Sequence, residues 1–272
     1  MTQGALNTVI ASQESPSVRQ AINVIFAQYG DNVSVDEKKK NLTKFGRNPA
    51  ATTTTSTVWS YGGTLANEVL ISTNGIDSIS SSNAGDTQLV TIEGHTISGS
   101  DLTFVTQTAT LNGQNKVTLT TPLARATRIY NSGSTDFAGT VYVYESDTLT
   151  AGVPNTSTKV HLLAPFGYST NSSLKCQTAI SATDYWLIEH VTVAVLKKAA
   201  AFVDFSLQVR RSGGVFRTID TYSASNSSGT ISVEYTQFLI VPPNSDVRVI
   251  CTADAGTTDV MATVHGMLAT IV

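Results

Sequence analysis

Charged side chains, cysteine, methionine and tryptophan are all scarce in this chain. Asp, Glu, Lys and Arg make up 14% of the 272 residues, and the formal net charge is −3. So weakly charged a chain lacks the general attraction to phosphate that nucleic-acid-binding proteins use, and we expect no nucleic-acid partner. The two cysteines, Cys176 and Cys251, supply neither a disulfide framework nor a four-cysteine metal site. We expect both to be buried free thiols.

Long apolar runs are missing as well. We find no stretch of about 18 uninterrupted apolar residues, which is the length that a membrane-spanning helix requires. The first seven residues, MTQGALN, contain neither a basic segment nor an apolar core of the kind that begins a secretory signal peptide. The expectation is a protein with no membrane partner.

What the chain does contain favours strands and turns. Thr, Ser, Val, Ile, Gly and Asn are abundant, and from residue 58 onward short alternating runs recur every 8–14 residues without helical patterns between them. This spacing predicts an all-β fold of two tandem antiparallel β-sandwich domains, 58–148 and 158–272, joined by a linker at 149–157. We favour jelly-roll-like domains, with an immunoglobulin-like sandwich as the alternative.

One local signal within the β region predicts a hairpin. Asn112-Gly113 separates the apolar-alternating run 108–111 from the run 116–119. Asn-Gly is the pair that two-residue hairpin turns favour, so we expect these two runs to pair with each other.

A single amphipathic helix is predicted near the N-terminus, over residues 15–30. Ser15 can cap it, Pro16 suits its first turn, and Gly30 is a natural stop. One apolar stripe follows the helical period: Val18, Ala21, Ile22, Ile25, Phe26 and Tyr29. The stripe requires a surface to cover it, either on the β domains of its own chain or on a partner.

The segment after this helix, 31–57, is predicted to be an extended basic arm. Five of the 17 Lys and Arg residues lie within it: Lys38, Lys39, Lys40, Lys44 and Arg47. With residues 1–30 it forms the predicted N-terminal unit 1–57. The two interpretations are a solvated loop and an arm that lies across an acidic surface of a neighbour.

Signals for catalysis are weak, and we expect no enzyme activity, no cofactor and no metal site. The four histidines show no paired metal-binding spacing, and no nucleophile elbow or phosphate-binding loop is present. Asp204 and Glu234 are the candidates for a pair of glycosidase carboxylates, without a specific spacing. The stretch 31–36, and separately Asp254 and Asp259, offer oxygen ligands but no EF-hand pattern.

Several stretches between residues 44 and 272 resemble structural proteins of tailed bacteriophages known from marine and cyanobacterial phage genomes. They are KFGRNP (44–49), VWSYGG (58–63), VTIEG (90–94), TATLNG (108–113), RATRI (125–129), PPNSDVRV (242–249) and TVHGML (263–268). These motifs consist of turns and strand edges. The chain departs from the family after Asn48-Pro49, where threonines replace the usual acidic linker.

The resemblance implies a virion component, most specifically a capsid decoration (cement) protein on the head surface, synthesised in the cytoplasm of the bacterial host. Its implied partners are the major capsid protein and further copies of itself, with a homotrimer favoured. The helix stripe and the basic arm would form the anchor to the shell. The candidate anchor residues are Ile22, Ile25, Phe26, Tyr29, Lys38, Lys39, Lys40, Lys44 and Arg47.

Two alternatives remain open at this point. A tail or fibre component that binds a host receptor would present a carbohydrate-binding surface, for which Tyr130, Tyr168 and Tyr222 are the candidates. An enzyme such as a glycan depolymerase would need a pair of acids that face each other across a cleft.

Overall fold

In the computed structural model, the described residues are 33–34, 41–61, 70–167, 171–197 and 202–271. The predicted helix 15–30 lies outside them. They form antiparallel strands and one short 3-10 helix, Ser157–Lys159. The strands are β1 (Val33–Ser34), β2 (Leu42–Ala51), β3 (Ser56–Thr57), β4 (Ile76–Ser81), β5 (Leu89–Ser98), β6 (Asp101–Thr110), β7 (Val117–Leu123), β8 (Arg125–Asn131), β9 (Val141–Glu145), β10 (Leu149–Thr150), β11 (Val153–Pro154), β12 (Val160–Ala164), β13 (Gln177–Ile180), β14 (Asp184–Lys197), β15 (Phe202–Arg211), β16 (Arg217–Ser225), β17 (Thr230–Val241), β18 (Ser245–Ala253) and β19 (Thr258–Ile271). The all-β class is confirmed.

The first sandwich is built from two sheets with the strand orders β12-β9-β4-β7 and β6-β5-β8. Apolar side chains from both sheets meet in one buried core, which includes Ile79, Ile92, Ile129 and Val143. These residues alternate with polar ones along their strands, because successive side chains of a strand point to opposite faces.

The second sandwich has a nested pairing of strands. In one sheet β19 pairs with β14 and β14 with β17, while β2 and β1 both pair with β19; in the other sheet the order is β13-β18-β15-β16, and β3 also pairs with β18. Take its main strands in chain order: β2, β13, β14, β15, β16, β17, β18 and β19. In this order β2 pairs with β19, β13 with β18, β14 with β17 and β15 with β16. The first strand thus pairs with the last, and the fourth with the fifth. A large core that includes Trp186, Phe205 and Val249 lies between the two sheets.

The first sandwich is inserted into the second, rather than preceding it in tandem. Strands β2 and β3 pair with β19 and β18 of the second sandwich, although they precede the first sandwich in the chain. Strand β12 falls within the predicted second domain, 158–272, but pairs with β9 of the first sandwich. The tandem boundaries at 58, 148 and 158 are corrected accordingly. Alternation shows where a strand lies and which face is buried, but not which distant strand it pairs with.

Residues 42–57 correct the predicted arm. They form β2 and β3, and Ala51, Ser56 and Thr57 are buried. Gly46 of β2 is packed so closely that an added Cβ would lie 2.1 Å from the carbonyl oxygen of Val58. The charges of Lys44 and Arg47 suggested a solvated segment, but both side chains are paired within the fold, as described below.

Two local predictions are also corrected. Asn112 and Asn115 form a bridge, so the predicted turn exists, and Gly113 adopts a left-handed φ of 56°. The flanking strands β6 and β7 nevertheless lie in different sheets, because the chain crosses between the sheets at this turn. The predicted linker 149–157 contains the small hairpin β10–β11, which lies within the first sandwich between β9 and β12.

Cys176 and Cys251 form no disulfide with each other and are both buried, as predicted. Burial raises the pKa of the Cys176 thiol to about 12, so the reactive thiolate is absent near pH 8. We expect neither cysteine to react with a chromogenic disulfide reagent in the native protein, and both to react at once in denaturant. Stoichiometric labelling of the native protein would contradict the burial of these side chains.

Candidate functional site: a cleft between the sandwiches

A buried ion cluster joins the two sandwiches. Arg125 of β8 donates from Nε to Asp246 Oδ1 of β18 at 2.7 Å and from Nη2 to Oδ2 at 3.2 Å. Arg210 of β15 donates to the same Oδ2 at 2.9 Å. Asp246 is fully buried and Arg125 is 5% exposed, so these charges are compensated by one another rather than by water.

The turn before β18 adds a second connection between the sandwiches. Asn244 has a left-handed φ of 54°, a conformation that asparagine tolerates better than most residues. Its side chain accepts a hydrogen bond from the backbone N–H of Leu102 at 2.8 Å and donates one to Asp101 at 3.0 Å. The N–H of Ala182 in turn donates to the carbonyl of Leu102 at 2.8 Å. The start of β6 is thereby fixed against the second sandwich.

A cleft of about 550 Å³ opens beside this junction. Its volume falls within the range of about 300–1,000 Å³ that is typical of small-ligand pockets. The first sandwich contributes residues of β5, β6 and β8, and the second contributes residues of β2 and of the segment around β13. The lining includes Asn41, Thr43, Lys44, Phe45, Glu93, His95, Phe104, Arg128 and Ser181.

Lys44, His95 and Lys175 are buried basic side chains that line this cleft, and the pKa values of the first two are shifted. Lys44 donates from Nζ to the carbonyl of Thr127 at 3.3 Å. Burial lowers the pKa of Lys44 to about 8, while the nearby carboxylate of Glu93 opposes the shift. Burial, with a smaller contribution from the charge of Lys44, lowers the pKa of His95 to about 3. His95 is therefore neutral at pH 7, and its buried Nδ1 has no hydrogen-bond partner.

The burial of His95 predicts acid sensitivity. The unfolded chain binds a proton at this side chain below pH 6.5, whereas the folded chain does so only near pH 3, so stability should be lost as the pH falls through this window. We expect the free energy of unfolding to decrease by about 3 kcal/mol between pH 7 and pH 4 on account of His95. Urea titrations at several pH values measure this decrease. The free energy of unfolding of His95→Gln should decrease less steeply as the pH falls. If it decreases as steeply as in the parent protein, His95 does not cause the acid sensitivity.

His161 should likewise lower the stability of the fold as the pH falls. Burial lowers the pKa of His161 to about 4, although its ring Nε2 lies 2.9 Å from Glu145 Oε1, a contact that favours the protonated form. Desolvation therefore outweighs the attraction of the carboxylate.

The predicted anchor residues do not form one site. Lys44 is buried at the junction, and Arg47 donates from Nε to Asp259 Oδ1 at 2.9 Å and from Nη2 to Oδ2 at 2.5 Å. Neither side chain is available as part of a mobile basic arm, which corrects that prediction for these two. Its other members, Ile22, Ile25, Phe26, Tyr29, Lys38, Lys39 and Lys40, lie outside the described residues.

The other candidate residues are dispersed. Asp204 and Glu234 are exposed on different sheets of the second sandwich, so they do not face each other across a cleft. Asp259 is bound by Arg47. Within the described residues no cluster of three or more His, Cys, Asp or Glu side chains could hold a metal ion. The same part of the chain contains no helix of the length and apolarity needed to cross a bilayer.

The tyrosine candidates for carbohydrate binding have three different outcomes. Tyr222 is 6% exposed and its hydroxyl bonds to that of Tyr235, so it belongs to the core of the second sandwich. Tyr168 lies outside the described residues. Tyr130 is half-buried on the face of β8 that carries Arg128, whose guanidinium lies 4.6 Å from the centre of the Tyr130 ring.

Sequence reasoning missed the residues that build the junction and the cleft. The stretch 242–249, valued only as a strand entry, contains both Asn244 and Asp246. Asn after two prolines is a turn signal, and an Asp at the start of an apolar strand is a candidate for burial with a cation. Nothing in the sequence indicates that their partners are Leu102 and Arg125.

Comparisons with known proteins are weak. No protein-family model and no curated protein matches the chain. It is similar to a solved structure of infectious bursal disease virus, Gt strain, with 10% identity, coverage of 94% of this chain and 77% of that one, and a TM-score of 0.22. It is also similar to the VP2 subviral particle of that virus, with 9% identity, 88% and 77% coverage, and a TM-score of 0.19.

Both of these matches come from virus particles, but not from marine or cyanobacterial phages. TM-scores near 0.2 do not indicate a shared fold.

Proposed function

We propose that the protein is a virion structural protein, a non-enzymatic decoration protein that binds the outside of a phage head as a symmetric oligomer. The observation that carries this proposal is the nested pairing of the second sandwich, first strand with last and fourth with fifth. This is the order of a jelly roll, an architecture common in viral capsid and lectin domains. The step from fold to role is an analogy, so it needs a direct test.

The rigidity of the described chain supports a structural role. The buried cluster of Asp246 with Arg125 and Arg210 and the Asn244 turn hold the inserted sandwich against the jelly roll. A protein that reinforces a shell must keep its contact surfaces in a fixed geometry, since ordering them on binding would cost affinity.

One hairpin offers a surface for attachment to an acidic partner. We call it the arginine hairpin, defined as Arg210, Arg211, Val215, Phe216 and Arg217 of β15, β16 and their turn, together with Arg248 of the neighbouring strand β18. Two guanidinium groups lie over the ring of Phe216, that of Arg248 at 3.7 Å and that of Arg210 at 5.0 Å from the ring centre. Val215 at the tip is 72% exposed. Arginine beside an apolar anchor is typical of the energetically important part of protein interfaces.

The arginine hairpin lies at the end of the jelly roll where the N-terminal segment also arrives. Arg211 pairs with Ser245 and Ile180 pairs with the same residue, while a short turn connects Ile180 to Asp184. Asp184 pairs with Thr270, which also pairs with Ser34 of β1. Strand β1 therefore lies at the same end of the jelly roll as the arginine hairpin.

Location on the particle is the first test. A gold-labelled antibody should decorate heads evenly and densely in electron micrographs of purified particles. Particles made without the protein should retain closed heads that lose their DNA at a lower temperature. Label confined to tail tips would replace the proposal with the tail or fibre alternative, and absence of label from particles would overturn both.

Attachment is tested by charge reversal at exposed positions. The double variant Arg211→Glu, Arg217→Glu should bind stripped heads at least about tenfold more weakly, because both arginines are exposed and point to an acidic partner in the proposal. The control with the same change in net charge is Lys116→Glu, Lys159→Glu, on the first sandwich. Equal binding by both double variants would exclude the arginine hairpin as the attachment surface.

The contribution of the N-terminal residues to head binding is tested by a deletion that leaves the strands of the jelly roll intact. Deleting residues 1–48 would remove most of β2 and unfold the sheet, whereas deleting residues 1–32 leaves β1 and β2 in place. The shorter deletion should give a folded protein with weaker binding to heads.

A further inference from the structure

The cleft continues onto an open face of the first sandwich. On sheet β6-β5-β8, the side chains of Glu93 and His95 point away from the core formed by Val90 and Ile92. The register places three further outward residues beside them, with Phe104 opposite His95, Thr106 opposite Glu93 and Arg128 on the other side of Glu93. We call this surface the outer face; its members are Thr91, Glu93, His95, Phe104, Thr106, Thr108, Arg128 and Tyr130.

Exposed aromatic rings and polar groups meet where the outer face enters the cleft. Phe104 is 46% exposed and packs edge-on against the ring of His95 at 5.4 Å between centroids. Phe45, from the second sandwich, is 41% exposed and lines the same cleft. Exposed phenylalanines are costly to leave in water, so two of them in one concave site indicate an apolar surface that a ligand covers.

The polar groups around these rings suit hydroxyl groups rather than an ion. The carboxylate of Glu93 is 3.6 Å from the guanidinium of Arg128, so the two charges compensate each other. Lys44 is held by the Thr127 carbonyl and lies near Glu93. Lys175 and Asp184 also line the cleft; Lys175 donates to the carbonyl of His161 at 3.0 Å, and Asp184 accepts from the hydroxyl of Thr270 at 2.7 Å. The other polar groups are neutral donors and acceptors: Asn41, Thr43 and Ser181 in the cleft and, beside it, the threonine hydroxyls of the outer face.

We propose that the cleft and the adjoining outer face bind a neutral glycan, with a sugar ring stacked on Phe104 and its hydroxyls bound by Glu93 and Arg128. A pyranose has an apolar face of C–H groups and a rim of hydroxyls, which matches an aromatic ring beside a carboxylate–guanidinium pair. The ring of the neutral His95 packs against the ring of Phe104, and its buried Nδ1 has no hydrogen-bond partner. In the ligand-bound site, a sugar hydroxyl would form a hydrogen bond with this atom. This inference goes beyond the structural role and does not depend on it.

The test uses the full chain on a printed array that contains neutral and acidic oligosaccharides. We expect binding to one or more neutral glycans, confirmed by saturation transfer from protein to sugar protons in NMR spectra of the best-bound glycan. Absence of binding to every glycan on the array would overturn the inference. Binding restricted to acidic glycans would overturn it too, since it would indicate recognition of charge.

Variants then locate the site. Phe104→Ala and Glu93→Gln should each weaken binding of that glycan by about tenfold or more. Both should keep the circular dichroism spectrum of the parent protein, and Phe104→Ala should also keep its unfolding midpoint. Phe166→Ala is the matched control, because Phe166 is 61% exposed and lies outside the cleft. If Phe104→Ala and Glu93→Gln bind as well as the control, the glycan occupies another surface and the assignment is wrong. The Arg211→Glu, Arg217→Glu variant should bind the glycan as the parent protein does, even when it no longer binds heads. The two proposals can therefore fail independently.

Discussion

Replacing Asp246 with alanine should lower the free energy of unfolding by about 3–5 kcal/mol, one of the two largest effects that we expect from a single substitution. Asp246 is fully buried and accepts hydrogen bonds from Arg125 and Arg210, which belong to different sandwiches. Its removal leaves the buried guanidinium of Arg125 with backbone carbonyls of Ile71 and Ala124 as its remaining partners. A buried cation without a counter-charge is costly, because neither water nor another carboxylate replaces the lost partner.

Urea unfolding followed by tryptophan fluorescence measures this loss. The control is Lys159→Ala, which removes a surface pair with Asp147 at 3.5 Å and should change stability by less than about 1 kcal/mol. Asp246→Asn keeps the shape of the side chain and should be destabilising to an intermediate degree. If Asp246→Ala costs no more than the control, the cluster does not hold the two sandwiches together.

The substitution Gly46→Ala should be at least as damaging, with an expected loss of about 3 kcal/mol or more. The new Cβ would lie 2.1 Å from the carbonyl oxygen of Val58 and 2.3 Å from the backbone nitrogen of Cys176. Those two atoms are themselves joined by a hydrogen bond of 3.0 Å, so the backbone cannot yield without breaking it. The result would decide whether residues 42–51 are a strand of the jelly roll or the arm that their charges suggested.

Gly99→Ala is the comparison for this variant. An added Cβ at Gly99 meets nothing within 4 Å, and its φ of 61° imposes only local strain of about 1 kcal/mol. Thermal unfolding of both variants against the parent protein separates steric conflict from loss of glycine flexibility. If Gly46→Ala is as stable as Gly99→Ala, β2 is a loosely attached segment and not a packed strand of the jelly roll.

Local patterns predicted much of the β structure correctly. The alternation of Phe205, Leu207 and Val209 with polar residues coincides with β15, and Trp186 and its following valines lie in β14. The two cysteines are buried, as their positions in apolar runs indicated. These features depend on neighbouring residues in the chain, which is why a reading of short windows could find them.

The candidate site was not predictable in the same way. Arg125 and Asp246 are 121 positions apart, and Lys44 reaches the carbonyl of a residue 83 positions away. Lysine and arginine are usually exposed, so the sequence favours surface positions for Lys44 and Arg47. Both side chains are instead paired with partners supplied by β8 and β19, and no local signal carries that information.

By itself, the sequence determined the secondary-structure class, the positions of many strands and turns, and the faces that are buried, because each follows from side-chain chemistry within a few residues. The tertiary structure alone decided the insertion of one sandwich into the other, the nested pairing around β19, the ion cluster at Asp246 and the cleft between Phe45 and Phe104. These features arise from contacts between segments far apart in the chain. Such contacts form only when strand pairing and core packing select one arrangement among many with the same local pattern.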